Sequence, residues 1–350
     1  MVACKLTATR FALIILLARA FFGHFSLHLY YGNWGNEGLC LFSQNKNNSL
    51  YLIVIGLMLQ HAFTPPILLM KQFLFFIIFL FAFLLNSTAQ SSQIFEMKTL
   101  KSEVLKMDRK YSIYLPPGYN ETDMRYPVLY LLHGSGDDHT GWVQFGQVQH
   151  ITDKAIADGI CGPMIIVMPD ANTGIRGYFN MPDGTYNYEN FFFDELIPFI
   201  EGTYRVRSER RFRAISGLSM GGGGTIYYTL HRPDVFAAAA PLSATTQAFR
   251  TQTTQLTEEQ NAEFVNQHTI RSILDNASEE DMKNIQHVRW YISCGDDDFL
   301  YKDNSEMHII FRDRNIPHEY RVKDGAHTWS YWRMELPEVL SFVSKSFTQF

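Results

Sequence analysis

Apolar positions in this chain fall into three textures, and two of them predict a fold. From residue 90 onward, short unbroken apolar runs alternate with segments whose apolar positions recur every three or four residues. Pro127-Val128-Leu129-Tyr130-Leu131-Leu132 and Met164-Ile165-Ile166-Val167-Met168 have strand length and no charged position, the pattern of parallel strands buried on both faces. Phe212 to Ser216, Val235 to Ala240, Val288 to Ser293 and His318 to Val322 continue the series. Ile151 to Ala157, Asn190 to Tyr204, Thr225 to Leu230, Asn304 to Arg314 and Ser330 to Phe347 read as the intervening helices. Glu96 to Leu105 and Lys110 to Leu115 read as an opening antiparallel hairpin, closed by the Pro116-Pro117-Gly118 turn. Strands alternating with helices predict an α/β class domain, a doubly wound and mostly parallel sheet with helices on both faces. Ligands of such sheets sit at the carboxyl ends of the strands, which makes that end the active face. The polar, mostly helical stretch Thr245 to Asn284 reads as an insertion beside it.

The third texture, apolar without a period, fills the N-terminal region. Lys71, the Phe/Ile/Leu run Phe73 to Leu85, and Ser87 and Ala89 form the basic, apolar and small-residue parts of a signal peptide over 70–89. Cleavage is expected after Ala89, giving a secreted or periplasmic product with its folded domain over 90–350. The residue directly after the cut is Gln90 and not a cysteine, which argues against a lipid anchor. Residues 1–69 read as a dubious extension ahead of that signal, from a start placed upstream of Met70. The competing reading is membrane anchoring by an uncleaved N-terminal segment. The runs at 11–22 and 51–63 are shorter than the roughly 18 to 20 residues of a spanning helix, whereas 66–85 is long enough.

Charge narrows the partners. Beyond Ala89 there are 25 Lys and Arg (30 minus 5) against 34 Asp and Glu (35 minus 1), a formal charge of −9 with no basic stripe. An acidic surface of this kind argues against nucleic acid and against anionic membrane as partners. Cys161 and Cys294 make neither a disulfide framework nor a metal-ligand spacing, and buried free thiols are expected. The sequence calls for no cofactor and no metal.

Candidate chemistry begins at Gly217-Leu218-Ser219-Met220-Gly221, between an apolar strand and a helix-like segment. A serine there occupies a strained elbow above the sheet, with glycines where a Cβ would strike a neighbouring element. A serine nucleophile needs a histidine base, and the histidine needs an acid that fixes its tautomer. Downstream, one strand ends in Gly295-Asp296-Asp297-Asp298 and another in Asp324-Gly325-Ala326-His327, the chain order Ser, Asp, His. Spacing alone does not choose among the three aspartates. The oxyanion would be held by the backbone N–H of Met220 and by that of Ser135 in His133-Gly134-Ser135-Gly136, which follows an apolar strand. His231 closes the elbow helix and reads as structural.

Five motifs in order carry a resemblance: Leu131 to Gly136 with Gly141-Trp142, Phe193 to Pro198, Gly217 to Gly222, Cys294 to Tyr301, and Gly325 to Trp329. Together they resemble the esterase D family of α/β-hydrolases, which includes feruloyl and acetyl-xylan esterases, S-formylglutathione hydrolases, siderophore esterases and mycolyltransferases. The resemblance spans most of residues 97–348 and implies the α/β-hydrolase fold, a serine esterase and, as the acid, Asp298. An export signal fits the carbohydrate-active branch, so the implied substrate is a small-molecule or polysaccharide acyl ester, with acetyl or feruloyl-type groups on plant polysaccharide. Acyl transfer, an S-formylglutathione or siderophore-type esterase activity of the same family, and a non-catalytic carbohydrate-binding role on the same scaffold are the alternatives. Aromatic residues in the loops of the active face, Trp142, Tyr178, Phe179, Tyr186, Tyr188 and Trp329, are the candidates to stack on substrate.

Overall fold

A computed structural model describes residues 91–172, 177–181, 183–246 and 257–348. Residues 1–69 and the signal-peptide region 70–89 lie outside the described residues.

The described strands form one eight-stranded sheet in the order β1-β2-β4-β3-β5-β6-β7-β8. They are β1 Gln93–Ser102, β2 Met107–Leu115, β3 Val128–Leu132, β4 Ile165–Pro169, β5 Arg213–Leu218, β6 Ala238–Leu242, β7 Arg289–Gly295 and β8 His318–Lys323. β2 pairs antiparallel with both neighbours and all other pairs are parallel. The β3, β4 and β6 strands are buried at every position, as their unbroken apolar runs require.

Alternation within those runs divides the core into two layers. Val128, Tyr130, Leu132, Ile165 and Val167 face a layer containing helices α2 Ile197–Thr203, α3 Met220–His231 and α7 Tyr301–Asp313. Leu129, Leu131, Ile166 and Met168 face the other, with α1 Val148–Ala157 and the closing helix α8 Trp329–Thr348. This is the doubly wound arrangement that the periodicity predicts.

Four expectations shift. The hairpin reverses at 103–106, where Lys106 takes φ 54°, and not at Pro116-Pro117-Gly118. The cause is distant in sequence: Glu195 accepts hydrogen bonds from the Glu103 and Val104 N–H groups and the Ser102 hydroxyl, which pins the turn. β6 starts three residues later than Val235. The long helix from Tyr188 widens into a π-turn over Phe191–Leu196 just before Pro198, which has no N–H to donate. Lastly, the helices α4 Glu258–Gln267, α5 Ile270–Asp275 and α6 Glu279–His287 bring Phe264, Ile270, Leu274 and Ile285 into the first core layer. The stretch is therefore part of the sheet's cover as well as an insertion.

Cys161 and Cys294 are buried and free, and burial pushes their thiols up to about 11 and about 12. Among the described residues no helix is long and apolar enough to cross a membrane.

Candidate active site

Ser219 stands between β5 and α3 at φ 55°, ψ −115°, a backbone conformation that costs an L-residue energy and lifts its side chain clear of the sheet. The surroundings leave no alternative path. A Cβ at Gly217 would come within 2.5 Å of the Gly221 carbonyl oxygen, and one at Gly221 within 2.6 Å of the Leu132 and His133 carbonyl oxygens. Ser219 is further anchored by its own backbone: its N–H donates to Leu242 at 2.9 Å, while its carbonyl accepts from Gly223 at 3.0 Å and Thr245 at 3.3 Å.

The ends of β7 and β8 bring up the other two groups. His327 Nε2 lies 2.9 Å from Ser219 Oγ, and its Nδ1 lies 2.9 and 3.0 Å from the two Asp298 carboxylate oxygens. Nδ1 therefore carries the proton and donates to the carboxylate, leaving Nε2 to accept from the serine. The three aspartates divide their work. Asp296 is exposed and laces the two loops, accepting from the Gly325 N–H at 3.0 Å, and Asp297 is exposed. Asp298 is buried and faces the histidine.

Burial alone would raise the Asp298 carboxyl. Hydrogen bonds from His327, from the Leu300 N–H at 2.8 Å and from the Ser243 hydroxyl, with the imidazole charge, outweigh it and hold the group below the usual carboxylate range. Ser243 is fully buried at the end of β6 and accepts from the Trp332 indole N–H at 3.1 Å. Phe299 lies with its ring centroid 4.4 Å from that of His327, and Trp332 meets the imidazole edge-on at 5.0 Å.

Two backbone N–H groups, of Met220 and Ser135, are the candidate donors to an oxyanion. Met220 opens α3, so its N–H has no intrahelical acceptor and stands at the positive end of the helix. Ser135 is oriented through the residue before it. The Ala171 N–H donates to His133 Nε2 at 2.9 Å, so the ring's proton is on Nδ1, which donates to the Gly134 carbonyl at 2.8 Å. In a trans peptide the Ser135 N–H points away from that carbonyl, away from the His133 ring that holds it. Burial keeps His133 below its ordinary pKa, hence neutral and in this tautomer.

A cleft of about 330 Å³ opens above Ser219. The loop Gly134 to Asp137 forms one wall, His327, Trp329 and Trp332 the other, and Leu218 lies beneath. Trp329 is half-buried and meets Trp142 and Trp332 edge-on, with the exposed Phe145 6.0 Å away.

The other candidate stacking residues are not in this cleft. Trp142, Tyr178, Phe179, Tyr186 and Tyr188 are all buried. Their polar ends are spent on backbone: Trp142 donates to Leu132 at 2.9 Å, Tyr186 to Gly177 at 3.1 Å and Tyr188 to Asp170 at 2.8 Å. The Tyr178 hydroxyl accepts from the His133 N–H at 2.9 Å and donates to the His133 carbonyl at 3.1 Å. Loop aromatics at an active face look alike in sequence whether they face the ligand or hold the loop; these hold the loop. Ser243 and Asp137 escape the sequence reading. The position of Ser243 at a strand's carboxyl end was the available signal.

The family model described as "Putative esterase" matches residues 102–343. The chain belongs to this esterase family. Over 144 residues it is 39% identical to an endo-1,4-beta-xylanase/feruloyl esterase of Xylanibacter ruminicola, covering 39% of this chain and 19% of that protein. Over 133 residues it is 35% identical to an esterase of Mycobacterium tuberculosis, covering 37% of this chain and 27% of that protein. These matches thus span under a third of either relative. A solved ferulic acid esterase superposes with TM-score 0.67 at 36% identity, covering 73% of this chain and 99% of that one. The S-formylglutathione hydrolase of Staphylococcus aureus gives TM-score 0.59 at 21% identity, covering 72% and 99%, a likeness of fold. The eight-stranded sheet of this family member is accordingly that of the α/β-hydrolase fold.

Proposed function

We propose that the chain is a secreted serine carboxylic-ester hydrolase that acts through an acyl-Ser219 intermediate and removes acetyl or feruloyl-type groups from plant polysaccharide or oligosaccharide. One observation carries the reading: the continuous hydrogen-bonded series Ser219, His327, Asp298 at the floor of an open cleft.

The chemistry follows from that order. His327 Nε2 takes the Ser219 proton as Oγ attacks the ester carbonyl, and Asp298 stabilises the imidazolium that results. The Met220 and Ser135 N–H groups receive the oxyanion. His327 then returns the proton to the departing alcohol, leaving the acyl group on Ser219. Water, deprotonated by His327, adds to the acyl-enzyme and releases the acid.

Support for the acyl group comes from two sides. The solved relative at 36% identity is named a ferulic acid esterase, and the Trp329 and Trp332 rings, set edge to face, offer apolar aromatic surface beside Ser219. The purified protein is therefore expected to hydrolyse methyl ferulate and acetylated xylan in preference to S-formylglutathione. Ser219→Ala should abolish turnover while leaving the circular dichroism spectrum unchanged; full activity in that variant overturns the mechanism. Secretion is tested by sequencing the N-terminus of the exported protein, where Gln90 is the expected first residue and an intact residue 1 overturns the signal.

A further inference from the structure

Apart from His327, the residues that line the cleft include one ionisable side chain, and the mechanism does not use it. Asp137 lies on the wall formed by the Gly134 to Asp137 loop, on the same cleft as Ser219. Its neighbour Asp138 is committed to the loop, accepting from the Thr140 N–H and hydroxyl, each at 2.7 Å. The Asp137 carboxylate has no hydrogen-bond or ion-pair partner among the described residues, and its backbone N–H closes the turn onto Gly134 at 3.3 Å.

Two glycines set this arrangement. Gly136 takes φ 91°, the conformation that lets the loop present Asp137 toward the cleft. A Cβ at Gly141 would stand 3.2 Å from both Cβ and Cγ of Asp137, so the bare backbone there is what leaves room for the carboxyl. The half-buried group is raised from the ordinary carboxylate range by burial, and next by the charge of Asp138. No cation compensates it among the described residues. A negative charge held without a partner beside a reacting ester is a selective element, because it opposes any second negative charge brought to the same cleft.

We propose that Asp137 is a specificity-determining residue that admits neutral esters to the Ser219 cleft and turns away esters carrying an anionic group near the scissile bond. Neutral sugar and hydroxycinnamoyl esters are the admitted class, and half-esters of dicarboxylic acids the excluded one. The inference rests on the reading of Ser219 as the nucleophile of an esterase.

The experiment compares kcat/KM for monomethyl glutarate and methyl pentanoate, two esters that differ mainly in one carboxylate, at pH 8 and low salt. The native protein is expected to favour methyl pentanoate strongly, and added salt to narrow the gap. In Asp137→Asn the ratio of anionic to neutral kcat/KM should rise about tenfold, the scale of one like charge across a partly hydrated cleft, whatever happens to each rate alone. Asp137→Glu should restore the native ratio, which loop damage would not do. A ratio within twofold of native in Asp137→Asn, and equally in Asp137→Ser, overturns the proposal. A native protein that takes both esters equally well overturns it too, with the esterase reading intact. If neither ester nor methyl ferulate is hydrolysed, the esterase reading falls and this one with it.

Discussion

The Trp332 indole N–H donates to Ser243 Oγ at 3.1 Å, and through that hydroxyl the closing helix is tied to the acid of the triad. Trp332 also presents its edge to the His327 ring. One side chain of α8 thus braces both the acid and the base, which makes their geometry a property of the packed core.

Ser243→Ala removes one donor from the Asp298 carboxylate. The carboxyl should rise toward the ordinary range, because a hydrogen bond to the charged form is what holds it down. The expected outcome is an acid limb of the kcat/KM profile for methyl ferulate displaced to higher pH, with kcat lowered by roughly tenfold. An unchanged acid limb counts against the relay.

Asp298→Asn should lower kcat by roughly a thousandfold or more with little change in KM, since the amide can hold His327 in the wrong tautomer. Stability gives a second readout. The folded Asp298 carboxyl lies below its unfolded value, so its stabilising contribution is complete above the unfolded pKa of about 4 and is lost as pH falls through the folded one. Between about pH 5 and 3 the Tm of the native protein should therefore fall more steeply than that of the variant. Parallel Tm curves would contradict this assignment.

Tyr178→Phe deletes a hydroxyl that both accepts from and donates to the His133 backbone in the core. Leaving those groups without a partner should cost about 1–3 kcal/mol in urea unfolding. If Tyr178 holds the Ser135 N–H in place through the loop, kcat should fall while KM stays near native. A rise in KM alone would instead put Tyr178 in contact with substrate.

Gly217→Ala places a methyl group 2.5 Å from the Gly221 carbonyl oxygen and 2.7 Å from Leu132 Cβ. Backbone cannot yield there without opening the elbow. A loss of at least about 1–3 kcal/mol, with esterase activity falling further than stability does, is expected from denaturant curves and rates measured together. A variant of native stability would mean that the elbow is looser than the contacts require.

Much of this protein is legible in its residues. The apolar runs of β3 and β4 announce strands buried on both faces, because only a covered parallel sheet satisfies unbroken apolar segments of that length. The elbow is legible as a motif, and Gly217 answers the Gly221 carbonyl four residues on, although Gly221 answers the Leu132 and His133 carbonyls at the end of a distant strand. Three things needed the tertiary structure, and each is a contact between distant segments. The hairpin turn is held by Glu195, some 90 residues on. The choice of Asp298 over Asp296 and Asp297 depends on which carboxylate the packing of the β7 and β8 loops buries against His327, a matter on which three adjacent aspartates are silent. Trp142, Tyr178 and Tyr186 are amphipathic, with an apolar body suited to a core or to a ligand and a polar tip that any nearby carbonyl can satisfy. Their sequence neighbours do not say which. Packing around the oxyanion loop turned all three inward, and left Trp329 and Asp137 to face the cleft.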